Sequence, residues 1–173
     1  MTVTTELLKA YRATNYLLTP TSGEIDRFNL HPQTEQGWQF NEQGMAYCAL
    51  VLQTRSSVLA QLYRQCAVRS AVFITAWNPR SEVKAKKDND AAQLLLREEC
   101  RCRDLRSISG VSRDPGGAWP DEESVLVLGV SLVEAQALGV QFHQYAVVWA
   151  NGDAVPASDF VWAWKLSLIH ISE

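Results

Sequence analysis

Histidine, paired cysteines and long apolar runs are all scarce in this chain. There are three His among 173 residues, at 31, 143 and 170, and none stands in HExxH or another ligand spacing. The four Cys, at 48, 66, 100 and 102, form no CxxC, so the sequence shows no zinc set and predicts free thiols. Nucleotide-binding glycine patterns and the serine-hydrolase G-x-S-x-G are missing as well. No metal and no cofactor are therefore expected. The longest clean apolar run, Met45 to Leu52, falls far short of the roughly 18 residues of a membrane span. The first residues lack the basic-then-apolar order of a secretion signal. These absences predict a soluble, cytoplasmic chain with no membrane partner.

What is present is 47% hydrophobic and 20% charged residues, the balance of a folded domain. At roughly 150 residues per domain the length corresponds to about one domain, placed at residues 1–164. Charge is spread unevenly. Residues 43–113 hold twelve bases against six acids, whereas residues 114–164 hold seven acids and no base. Nucleic acid is not the expected partner, because the helix expected at about 82–104 interleaves Lys84, Lys86, Lys87, Arg97, Arg101 and Arg103 with Glu82, Asp88, Asp90, Glu98 and Glu99. The acidic stretch 114–164 is the candidate surface for a basic protein partner. The last residues, Leu166 to Glu173, resemble the translation of a transposon-based sequencing adapter, so residues 165–173 are expected not to be native and His170 is set aside.

Hydrophobic periodicity predicts a helix over Glu6–Ala13, a strand over Thr14–Leu18 and a short strand around Ile25, Phe28 and Leu30. A loop follows over His31–Gly44, then a strand over Met45–Leu52. Ser56 and Ser57 precede Val58, Leu59, Leu62, Tyr63 and Cys66, which predicts a helix with a capping serine in front. Ala71–Trp77 reads as a central strand. Asn78-Pro79, with Ser81 as competing cap, is expected to launch a helix to about residue 104. Its inward stripe would be Ala91, Leu94, Leu95, Cys102 and Leu105. Strands over Arg106–Val111 and Ser124–Val130 follow, then a helix opened by the capping box Ser131/Glu134, then a strand over Gln144–Ala150. Val155–Trp164 is the expected hairpin partner of that last strand. The fold class is therefore α+β. From residue 71 the order is the ferredoxin-like β-α-β-β-α-β, in a mixed sheet with helices on one face and an extra N-terminal helix and strands. A three-layer or open α+β sheet is the alternative.

The run Phe73 to Ser81 contains the string T-A-W-N-P-R-S, and other landmarks accompany it in order: Ala10-Tyr11, Thr14, Tyr16, Asn89, Leu94–Leu96, Trp119, Glu123, Ser124, Ser131, Glu134, Phe142 and Gln144. Together they resemble an uncharacterised bacterial family, domain of unknown function 3293, over most of residues 9–150. His143 and the long stretch 24–69 depart from its pattern. The resemblance implies a compact bacterial cytosolic domain and brings no activity with it.

The polar residues of that string suggest a site. Thr75, Trp77, Asn78, Arg80 and Ser81 are expected where a strand hands over to a helix, a place where ligands commonly bind. Free N–H groups at a helix start, together with Arg80 and Ser81, would suit a small anionic ligand. Asn89 joins the site only if another segment folds back over its helix, and Trp119 and Gln144 are candidates to line the same pocket. Two other readings compete with a binding module: an enzyme acting on a phosphorylated or carboxylated metabolite, and an interaction module using the acidic segment. Against the enzyme, no nucleophile–base pair is visible in the sequence.

Overall fold

A computed structural model describes residues 5–156. Strands β4 (Ala71–Ile74) and β6 (Glu122–Leu128) are its spine. Every residue of β4 is buried, as are the last five of β6. Such unbroken apolar runs require cover on both faces of a sheet. Alternate residues accordingly feed two separate cores. Phe73, Leu126 and Val148 point to one side, and Val72, Ile74, Val125 and Val127 to the other. The first core is closed by α3 (Ser57–Cys66) through Val58, Leu59, Leu62 and Tyr63, with Phe28 and Leu30 beside it. The second is closed by Leu96 and Cys100 of α4 (Lys86–Cys102) and by Ala135 and Leu138 of α5 (Leu132–Gln141). Helices thus cover both faces, not one, and the three-layer alternative is the one observed.

The sheet has seven strands in the order β2-β3-β1-β5-β6-β4-β7. The remaining strands are β1 (Asn15–Leu18), β2 (Gln39–Phe40), β3 (Ala46–Leu50), β5 (Ser107–Arg113) and β7 (Val148–Ala150). All six pairings are antiparallel, so the expected mixed sheet is corrected. From β4 the elements follow β-α-β-β-α-β along the chain and lie β5-β6-β4-β7 across the sheet. Beyond that unit β5 pairs with β1, which carries β3 and β2 on its other side. The protein is thus α+β. No helix among the described residues is long and apolar enough to cross a membrane.

Several elements depart from expectation for identifiable reasons. The short strand expected around Ile25 is instead helix α2 (Ser22–Arg27), started by a reciprocal capping box between Thr21 and Glu24. Ile25 and Phe28, three apart, then share one helical face on the first core. Strand β4 stops at Ile74, short of Thr75 and Trp77. Asn78-Pro79 launches only a 3-10 turn, Pro79–Ser81, because Asn78, Arg80 and Ser81 have φ of +47°, +59° and +56°, which a right-handed helix does not admit. Helix α4 begins at Lys86 after Ala85, with no side-chain cap. Its buried stripe is Asn89, Gln93, Leu96 and Cys100, while Leu94 and Leu95 are 68% and 64% exposed. Strand β7 starts at Val148 rather than Gln144, because β4 has only Ile74 beyond the Phe73↔Val148 pair. Beyond β7 a bridge links Ala150 to Pro156. The rest of the expected Val155–Trp164 strand, and the adapter-like residues 165–173, lie outside the described residues.

Candidate functional site

The antiparallel register brings one end of every central strand to the same place. Ile74, at the end of β4, pairs with Val125, and Ser112 of β5 pairs with Glu122 of β6. Asn15 of β1 pairs with Arg113, and Val148 opens β7 opposite Phe73. A cavity of about 220 Å³ lies there. Phe73, Tyr16 and Val148 line it from the sheet, and Ala10 and Tyr11 from α1 (Thr5–Ala13). The turn after β4 and the loop before β6 supply Trp77, Ser81, Trp119 and Pro120. Its lining is mainly apolar and aromatic with a few polar groups, the common make-up of small-molecule sites.

Six of the eight residues singled out in the sequence line this cavity: Thr75, Trp77, Asn78, Ser81, Trp119 and Gln144. Their individual parts differ. Thr75 donates from Oγ1 to the Glu123 carbonyl (2.6 Å) and accepts from the Trp77 N–H (3.0 Å), so it continues the β4–β6 contact through its side chain. Gln144 is buried and donates from Nε2 to the Trp77 carbonyl (3.0 Å), tying the segment after α5 to the turn. Trp77 is 8% exposed, its Nε1 has no hydrogen-bond partner among the described residues, and the Lys86 ammonium stands 5.9 Å from its ring centroid. The Tyr11 and Ser81 hydroxyls, both in the lining, meet at 2.9 Å.

Asn78 is the hub. Its Nδ2 donates to Glu122 Oε1 (2.6 Å), and its Oδ1 accepts from the Lys84 N–H (3.0 Å) and from Asn89 Nδ2 (3.0 Å). Asn89 in turn accepts the Asn78 N–H at its Oδ1 (2.8 Å), and Gln93 Oε1 accepts the Ala76 N–H (2.9 Å). Asn89 therefore does not line the cavity but holds the turn that does, since residues 78–84 fold back over the start of α4. Two amides occupy buried positions of α4 because the chain leaving β4 has backbone donors that need acceptors.

Arg80 stands apart. It is exposed, does not line the cavity, and its side chain makes no hydrogen bond among the described residues. Its backbone N–H reaches the His143 carbonyl (2.8 Å), a bond independent of the side chain. With the first turn of α4 at Lys86, the expected pairing of Arg80 with a helix N-terminus at 78–81 is corrected. At φ +59° the Arg80 Cβ costs about 1 kcal/mol that glycine avoids. Arg80→Gly is therefore expected to melt at or above the parent temperature. A fall of several degrees in calorimetry would show that the guanidinium holds something.

Glu122 was missed from sequence. Nothing local marks it, since it reaches the cavity only through the β5–β6–β4 register. It is half-buried, and burial pushes its carboxyl above the usual range against the opposing pull of the Asn78 donor. Burial likewise raises the Tyr11 phenol. The other carboxylate in the lining, Asp114, accepts the N–H groups of Gly116 (3.2 Å) and Ala118 (2.6 Å) and so shapes the loop that presents Trp119. Among the described residues no Lys, Arg or His lines the cavity. Elsewhere in the acidic stretch Asp121 pairs with Arg113, Glu134 caps α5, and Asp153 accepts the Val155 N–H.

The site is thus a pocket at one end of an antiparallel, three-layer α+β sheet, with a left-handed turn as one wall. The family model described as "Protein of unknown function (DUF3293)" matches residues 74–147. The matched span contains the turn, Trp119, Glu122 and Gln144, while Tyr11, Tyr16 and Phe73 of the same cavity lie before it. No curated protein and no solved structure matches the chain.

Proposed function

We propose that the protein is a binding module for a small ligand, seated in the cavity at the strand ends. The observation that carries this is the cavity itself: about 220 Å³, with aromatic walls and a few convergent polar groups. An engineered apolar cavity of about 150 Å³ takes benzene, so this one suits a body of roughly ten heavy atoms. Binding is favoured over catalysis. The Ser81 hydroxyl meets Tyr11, whose burial-raised phenol is no base near neutral pH. An anion would meet two carboxylates and no base in the lining, which disfavours the anionic ligand suggested by the sequence. The family resemblance adds a bacterial, cytoplasmic setting.

A thermal-shift screen of small metabolites tests the reading. A ligand at 100 times its dissociation constant adds about 2.7 kcal/mol, which is roughly 5–10 °C at this chain length. Trp119 is 55% exposed, so Trp119→Ala is expected to leave the unliganded melting point nearly unchanged while weakening a true hit about tenfold. Hits that bind the variant as tightly as the parent would place the site elsewhere.

A further inference from the structure

The cavity also carries information about the head group of its ligand, an inference that rests on the binding reading above. The two oxygens of Glu122 are not equivalent. Oε1 is held by Asn78 Nδ2 at 2.6 Å, whereas Oε2 accepts no hydrogen bond among the described residues. Asn78 is fixed by Lys84 and Asn89, so the carboxylate is aimed before anything binds. The second carboxylate, Asp114, has both oxygens engaged by its own loop. Of the cations beside the cavity, Lys86, which stands over Trp77, is matched by Asp90 at 2.7 Å, and Arg113 is matched by Asp121 at 2.7 Å. The rings of Trp77, Trp119, Tyr11 and Tyr16 line the same cavity as Glu122, and the π faces of such rings attract cations. One open carboxylate oxygen among aromatic rings, with no basic side chain in the lining, complements a positively charged hydrogen-bond donor attached to an apolar body.

We propose that the pocket takes a primary or secondary organic ammonium ion, its N–H donated to Glu122 Oε2 and its apolar body lying against Trp77 and Trp119. Ligand charge then replaces the solvation that Glu122 loses on folding. The raised carboxyl agrees with this, because an unliganded buried carboxylate is held at a cost that a cation removes.

The test compares three probes of nearly equal size: 2-phenylethylamine, 2-phenylethanol and phenylacetate, each titrated at millimolar concentration into the full chain by NMR, with Trp119→Ala and Glu122→Gln alongside. The expected result is that the amine binds at least tenfold more tightly than the alcohol, as a charge-assisted bond implies, and that phenylacetate is weakest. Glu122→Gln keeps an acceptor for Asn78, so it should melt no lower than the parent while the preference for the amine disappears. If the alcohol or the acid binds best and Trp119→Ala weakens it, the pocket reading stands and the ammonium proposal falls. The proposal also falls if the amine binds Glu122→Gln and the parent alike. If no probe binds in the cavity, the pocket reading falls and takes the proposal with it.

Discussion

Asn78→Ala is expected to lower stability by about 3 kcal/mol, a melting-point loss of roughly 6–12 °C at this size. Two costs combine. The residue sits at φ +47°, a region asparagine tolerates and alanine does not, which contributes about 1 kcal/mol. The larger share is the network. Removing the side chain strips Glu122 of its donor, leaves the Lys84 N–H without its acceptor, and leaves Asn89 Nδ2 only the longer bond to the Lys84 carbonyl at 3.5 Å. Each orphaned polar group that water cannot reach costs about 1–3 kcal/mol. Companion variants separate the two. Asn78→Gly removes the backbone strain and keeps the network loss, so the difference between Gly and Ala reads the strain alone. Asn78→Asp keeps the acceptor but sets a second carboxylate beside Glu122. Like charge then raises the Glu122 carboxyl further. Ionising a carboxyl whose folded pKa is raised costs the fold, so this variant should be weakest above that pKa and recover as acid protonates Glu122. Chemical denaturation at neutral and mildly acidic pH measures all three. If Asn78→Ala melts within about 2 °C of the parent, the hydrogen bonds at this turn carry no net stability.

The same turn shows what can be read from a sequence and what cannot. Ser56 and the Ser131/Glu134 box are local signals, decided within three residues, and both cap the helices expected of them. Strand β4 and the part of the pocket lining at Thr75, Trp77, Asn78 and Ser81 were legible because apolar β-branched residues and a Trp-Asn-Pro string have few other uses. The phase of α4 was not. Two of its four buried positions are the amides Asn89 and Gln93, whose partners lie on the chain leaving β4. A hydrophobic stripe cannot reveal a helix face chosen for its acceptors, so the exposed Leu94 and Leu95 were taken for the core. Arg80 shows the reverse case: its charge stands at a suggestive position in the sequence, while the fold leaves it exposed and outside the cavity lining. Glu122 depends on strand register, which links residues 44 positions apart in the bond to Asn78 and leaves no local trace.

The second large effect is expected at Gly110, in the strand that backs the pocket. Glycine is needed there for space rather than for backbone freedom. A Cβ would stand 2.6 Å from Phe73 Cε2 and 2.8 Å from the Leu17 carbonyl oxygen, closer than van der Waals contact allows. The carbonyl belongs to β1, which pairs with β5 through Leu18↔Gly110 and Leu17↔Val111, so it cannot retreat without opening the ladder. Phe73 is held edge-on against Tyr16, with ring centroids 5.6 Å apart, and both rings line the pocket. Gly110→Ala should therefore cost about 1–3 kcal/mol by overpacking, and Gly110→Val should exceed that. Any ligand should also bind less tightly to Gly110→Ala, because Phe73 is the neighbour able to move and its movement changes the cavity. A double-mutant cycle with Phe73→Leu assigns the cost. If the ring carries it, the two changes together destabilise by clearly less than the sum of the singles; if the Leu17 carbonyl carries it, they add. Full stability of Gly110→Ala would mean that β1 and β5 lie farther apart than the close approach at Gly110 requires.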